Sequence, residues 1–279
     1  MVEIDAIHSF GTVWVGTLIP ILAYHGVEQT QPEIEDLCFA GRTYKLNSLR
    51  VKVDSFRKQM RYLSRKGYHT VRLDDVFRAR QLGGSLSEKS VALTFDDGFN
   101  DLHLPAGAIL KEYGFTATIF LVVERISEKG GNGFLTWQQV RDMQQAGFTF
   151  GAHTLTHPFL TSLSEEEAFN EIFESKRIIE ERTQKSVNFF CYPFGDFNSQ
   201  VVEFTKKCGF KGAVVTPTNP YVKESAFTMK RVGINRGNSM TTFMLKLNGI
   251  YDAFRDNPFL FRLGDVRKRV LLSLAKEVS

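Results

Sequence analysis

Short apolar runs recur along the chain, and between them lie longer segments whose apolar residues return every three to four positions. The runs Ile19–Tyr24, His69–Leu73, Ser90–Phe95, Thr116–Val122, Phe148–Ala152, Val187–Cys191 and Ala213–Thr216 read as strands, with a further extended piece over Lys230–Ile234. The intervening segments carry helix punctuation. Asp54 is positioned to cap a helix with Phe56, Met60 and Leu63 on one face and Gly67 as its stop. Thr136 and Gln139 form a capping box ahead of Val140 and Met143, and Ser164 with Glu167 repeats it before Phe169, Ile172, Phe173 and Ile179. Asn198 caps a helix carrying Val201, Phe204 and Cys208, closed by Gly209.

Strand-then-helix alternation predicts a parallel sheet with right-handed crossovers. Seven or eight such units predict an α/β fold closed into a distorted (β/α) barrel of parallel strands, with an open doubly wound sheet as the alternative. In either case functional residues gather where strands end. The main domain is expected over residues 19–240, after an N-terminal extension (1–18) and before a C-terminal helical extension (241–279). That last stretch has Phe243, Leu245 and Leu247 at helical spacing and ends in the basic amphipathic run Arg267–Lys276. It reads as a helix packed on the barrel or as a peripheral membrane contact.

Composition narrows the partners. The 279 residues carry a net charge of +4 with no basic stripe interleaved with aromatics, so nucleic acid is not an expected partner. Cys38, Cys191 and Cys208 lack CxxC spacing, which excludes a zinc ribbon and leaves buried thiols as the simple reading. The opening MVEID has no basic residue and no purely apolar run reaches the length of a membrane span, so a cytoplasmic, unprocessed chain is expected. The pattern carries no signal of oligomeric state.

Candidate chemistry sits at the predicted strand ends. Thr94-Phe95-Asp96-Asp97-Gly98 follows a strand with adjacent carboxylates, which suit a metal ligand beside a general base, or else a solvated loop. Both acids can serve one site only if the chain turns there. His153 and His157 follow another strand at i and i+4, share a face if the segment is helical, and have spacing suited to zinc. Tyr192-Pro193-Phe194-Gly195 forms a turn whose backbone N–H suits an oxyanion, although such a turn is common. His25 ends the first strand, as an acid–base group or a structural histidine. Trp137 and Tyr192 are candidates to line a sugar groove, with core packing as the alternative.

With TFDDG at 94–98 and HTLTH at 153–157 in this order, the sequence resembles the polysaccharide deacetylase (NodB-homology) family. AYHGV at 23–27, YGFTATIFLV at 113–122 and FFCYPFGDFN at 189–198 support the likeness, which covers roughly residues 19 to 235. The tyrosine–histidine opening looks most like the branch acting on poly-N-acetylglucosamine and related exopolysaccharides. The resemblance implies a distorted barrel and a divalent metal, Zn2+ above others, held by Asp97, His153 and His157. It implies Asp96 as general base and the Phe194 N–H as an oxyanion donor. Many members have an arginine that orients the catalytic aspartate where this chain has Cys191, and Arg231 is the expected substitute. Many also have a late histidine acid, but no histidine follows His157 here, which assigns that role to His25. The implied reaction releases acetate from an N-acetylated polysaccharide or oligosaccharide. The alternatives are a metal-dependent C–N hydrolase acting on a small or lipid-linked amide or formamide, and a non-catalytic carbohydrate-binding domain.

Overall fold

In the computed structural model, which describes residues 19–28, 37–39, 42–44, 46–131, 133–216 and 222–249, the apolar runs line up as a ring of parallel strands. They are β1 (Ile21–Tyr24), β2 (Ser90–Phe95), β3 (Thr118–Leu121), β4 (Thr149–Ala152), β5 (Phe189–Cys191), β6 (Gly212–Val215), β7 (Met229–Lys230) and β8 (Val232–Gly233). Their order is β7-β6-β5-β4-β3-β2-β1-β8, every adjacent pair parallel. The expected last strand is thus two pieces of one extended segment. Met229 pairs with Val214 of β6, and Val232 pairs with Leu22 of β1. The segment changes partner at Arg231, and this nearly closes the ring. The distorted (β/α) barrel is therefore the fold.

Helices α1 (Val53–Arg65), α2 (Leu73–Leu82), α3 (Ala106–Glu112), α4 (Trp137–Gln145), α5 (Glu165–Thr183), α6 (Ser199–Lys207) and α7 (Met240–Leu247) are set between or after the strands. The capping boxes at Thr136/Gln139 and Ser164/Glu167 and the Asn198 cap form as expected. Asp54 does not cap: α1 begins two residues earlier than such a cap implies, with Lys52 at the cap position, and Asp54 lies in the first turn, where the helix dipole favours an acid. The strand expected over His69–Leu73 stops at Thr70, because Leu73 already starts α2 and Asp75 accepts from the Arg72 N–H. Phe243 of α7 is fully buried and meets Tyr62 of α1 edge-on at 6.2 Å, so this part of the C-terminal extension packs into the main body. Residues 1–18 and the basic run Arg267–Lys276 lie outside the described residues. Among those described, no helix is long and apolar enough to cross a membrane.

Strands buried on both faces divide their side chains between two cores. Ile21, Ala92, Phe120, Phe189, Cys191, Val214 and Met229 pack together, whereas Leu22, Val91, Leu93, Ile119, Leu121, Phe190, Ala213 and Val215 pack in a second cluster with the helices. The first set fills the ring. Counting onward by two from its members reaches His25, Thr94, Asp96 and Arg231. Gly151 has the same parity, since a Cβ there would lie 2.4 Å from the Phe120 ring, and two residues on is His153. Strand periodicity alone thus aims five polar side chains into one mouth.

Candidate active site

Asp96 is held by a buried guanidinium. Arg231 Nη1 and Nη2 donate to Asp96 Oδ1 and Oδ2, both at 2.7 Å, and Nη1 also donates to Thr94 Oγ1 at 3.0 Å. Both partners are almost wholly buried, with side chains 2% and 5% exposed. Cys191 Sγ lies 3.1 Å from Arg231 Nη2 and 3.7 Å from Asp96 Oδ1. Burial by itself would raise the Asp96 carboxyl. The charge and hydrogen bonds of Arg231 outweigh it, with help from His153 and His25, and hold the group well below the usual carboxylate range. Burial pushes the Cys191 thiol well up, so it stays protonated.

Asp97 points elsewhere because the chain turns at that residue. Its φ is +71°, and Gly98 follows at +76°. The turn begins at the aspartate itself, one residue before the glycine. Asp97 Oδ1 then lies 3.4 Å from His157 Nε2, 3.9 Å from His153 Nε2 and 3.2 Å from Arg125 Nη1.

The two histidines converge without a helix. After β4 the chain passes through positive φ at Thr154 (+67°) and His157 (+71°). Thr154 Oγ1 donates to the His153 carbonyl and accepts the His157 N–H at 2.9 Å. Glu171 of α5 accepts from the N–H groups of Leu155 and Thr156, pinning the turn from outside. The expected shared helix face is therefore replaced by a tight loop. His153 Nδ1 is 2.7 Å from the Cys191 carbonyl, to which it must donate, and this leaves a lone pair on Nε2. That nitrogen faces His157 Nε2 at 3.2 Å. Burial, reinforced by the facing ring, pushes His153 down to about 4, and burial with the Arg125 charge pushes His157 down to about 3. Both rings are neutral at pH 7.

Asp97, His153 and His157 thus converge as one carboxylate and two neutral imidazoles, their ligand atoms within 4.8 Å of one another. This His₂–carboxylate set fits a divalent cation with room for exchangeable ligands. Asp96, His153 and Cys191 are as close together. They fit a cation poorly, because Arg231 occupies both oxygens of Asp96 and also faces the sulfur.

Phe194 sits in the turn after β5 with φ +58° and is half-buried. Its ring stacks on Phe159 at 4.1 Å and meets His157 edge-on at 4.5 Å. Of the five described non-glycine residues at positive φ, Asp97, Thr154, His157 and Phe194 belong to this mouth and only Gln184 does not. Such conformations cost about 1–3 kcal/mol each and cluster where function over-determines the backbone. His25, half-buried, follows β1 and is an electrostatic neighbour of both Asp96 and His157.

The structure thus brings Asp96, Asp97, His153, His157, His25, Phe194 and Arg231 together. It does not bring Trp137, which is buried at the start of α4 and 4% exposed. Tyr192 is also core, 2% exposed, with Phe190 and Phe197 against its ring. Neither offers a face to a sugar; the aromatic pair at the mouth is Phe159–Phe194. Sequence reasoning missed Arg125 too, although it lies just past β3, where the strand-end rule would have found it. A cavity of about 380 Å³ lies at the opposite end of the ring, between the starts of β3, β4 and β5, and contains none of these groups.

Comparisons with known proteins agree with this geometry. The family model described as "Polysaccharide deacetylase" matches residues 83–213. The "Putative polysaccharide deacetylase YxkH" of Bacillus subtilis is 28% identical over 237 residues, covering 83% of this chain and 78% of that protein. The poly-beta-1,6-N-acetyl-D-glucosamine N-deacetylase of Escherichia coli K12 is 24% identical over 200 residues, or 57% of this chain and 30% of the longer protein. Among solved structures, the Streptococcus pyogenes deacetylase PplD, in complex with acetate, superposes with a TM-score of 0.70 at 26% identity, covering 82% of this chain and 97% of that one. The ring, the paired acids and the two histidines accord with these likenesses: residues 83–213 form a polysaccharide deacetylase domain, and the chain is similar to enzymes of that family.

Proposed function

We propose that this enzyme removes N-acetyl groups from a glucosamine-type polysaccharide, releasing acetate, and that it needs a divalent metal, zinc before others. The observation that carries the proposal is the convergence of Asp97, His153 and His157 beside a separately neutralised Asp96. The named activity of the Escherichia coli relative and the acetate in the Streptococcus pyogenes structure support the substrate class.

Asp97, His153 and His157 are the residues to hold the metal. When bound, a divalent cation makes water more acidic and draws electron density from a carbonyl. Asp96 is ionised and positioned by Arg231, so it can take the proton of the attacking water; Oδ2 accepts from Arg231 alone among the described contacts and keeps a lone pair for it. The water oxygen adds to the acetyl carbon, and the Phe194 N–H stabilises the negative charge that develops on the carbonyl oxygen. The C–N bond then breaks, its electron pair stays with nitrogen, and His25 supplies the proton that makes the amine a viable leaving group.

The test is acetate release from β-1,4- and β-1,6-linked N-acetylglucosamine oligomers by the zinc-loaded protein, beside the Asp96→Asn variant. Release by wild type and not by the variant is expected. Hydrolysis of small amides with no release from any oligomer would overturn the polysaccharide assignment, and full activity of Asp96→Asn would overturn the base.

A further inference from the structure

Arg50 and Asp101 form a buried ion pair, with side chains 5% and 7% exposed, that none of the chemistry above uses. It lies against the stretch carrying His25. On one side of that histidine the Asp96 N–H donates to the Tyr24 carbonyl at 2.9 Å; on the other the Val51 N–H donates to the Gly26 carbonyl at 2.9 Å. Asp101 accepts from the Val27 N–H and pairs with Arg50. The Arg50 guanidinium also lies 5.2 Å from the centre of the Phe99 ring, in the loop that begins with Asp96 and Asp97. A Cβ on Gly26 would stand 2.7 Å from Arg50 Nε and 2.9 Å from Asp101 Oδ2. The pair therefore fills the space beside the residue that follows His25 and bridges it to the loop of the paired acids.

Stability alone does not account for such a pair. Arg50 Nε, Arg50 Nη1 and Asp101 Oδ1 have no hydrogen-bond partner among the described residues. Burial raises the Asp101 carboxyl in spite of Arg50. A buried pair with unmet hydrogen bonds is commonly matched or bettered by apolar side chains of similar volume.

We infer that Arg50 and Asp101 are positioning residues for His25, fixing the loop of the proton donor against the loop of Asp96 and Asp97. The inference rests on the proposed acid role of His25. The step served is the transfer of a proton from the His25 imidazolium to the departing nitrogen as the C–N bond breaks and its electron pair stays on nitrogen.

The test uses the zinc-loaded full chain with Arg50→Met/Asp101→Leu, which removes both charges and leaves neither alone. Two substrates are compared: an N-acetylglucosamine oligomer, whose amine needs a proton to leave, and 4-nitrophenyl acetate, whose phenolate does not. The expected result is a melting temperature no lower than wild type, oligomer kcat down about tenfold or more with KM little changed, and the ester rate kept. Adding His25→Ala to the double variant should cost little more, since the three act as a unit. Should the double variant melt early, Gly26→Ala, which keeps both charges and pushes on Arg50, is read by the same amide-to-ester ratio. Oligomer kcat at the wild-type level, equal losses on both substrates, or a full additional loss from His25→Ala would overturn the inference. A wild type that hydrolyses the ester and no oligomer would instead overturn the proposed function, and this inference with it.

Discussion

Asp96 and Asp97 are neighbours in sequence and opposites in surroundings. Asp96 points into the ring and is held on both oxygens by one arginine that reaches it from 135 residues away. Asp97, thrown aside by a single left-handed residue, faces two neutral histidines whose ligand atoms crowd together. Arg231 engages both oxygens of Asp96, whereas Asp97 has a single, longer contact with the half-buried Arg125 at 3.2 Å and belongs to a donor set that a cation would complete. Environments that differ this way separate the duties of paired carboxylates. The lesson is mechanical: strand parity sends consecutive side chains to opposite faces, and one strained residue is enough to return the second to the same mouth.

The harshest way to break this contrast is to remove the built-in charge. Arg231→Met should leave Asp96 buried and unpaired, costing about 3–5 kcal/mol of stability by denaturant titration and about 10²-fold or more in acetate release. Near-normal stability and turnover would mean that Asp96 does not depend on Arg231.

A gentler probe sharpens the other side. His153 and His157 have folded pKa values below the ordinary histidine value of about 6.5, so the unfolded chain binds protons that the native state refuses. Stability contributed by keeping them neutral is present above about pH 6.5 and is lost as pH falls from there toward about 4 for His153 and about 3 for His157. Urea melts of metal-free protein at pH 7.5 and 5 should show the loss, and His157→Gln should reduce the slope between them. An unchanged slope in that variant would show that His157 is not held neutral in the fold.

Much of the fold was readable from local pattern. The capping boxes at Thr136 and Ser164 depend on neighbours three residues away, so the sequence contains the whole interaction. Alternating strands and helices were enough for a barrel, and the strand-end rule led to Asp96, His153 and His25. What local pattern does not contain depends on contacts across the ring. The Arg231–Asp96 pair is expected from the family resemblance alone, and it forms because an extended segment changes partners at Arg231. The i, i+4 spacing of His153 and His157 fits a helix and a tight turn equally well, and Thr154 at positive φ selects the turn. Trp137 and Tyr192 were plausible sugar platforms by residue type, yet parity and packing put both in the core, whereas Phe159 comes to the mouth through a loop fixed by Thr161 on Asp196.

The contrast between the two aspartates is tested most directly by zinc titration, followed calorimetrically, of wild type, Asp96→Asn and Asp97→Ala. The account predicts one tight site in wild type, the same site kept in Asp96→Asn without acetate release, and its loss in Asp97→Ala. Equal zinc affinity in all three proteins, or a site lost with Asp96 and kept without Asp97, would contradict it.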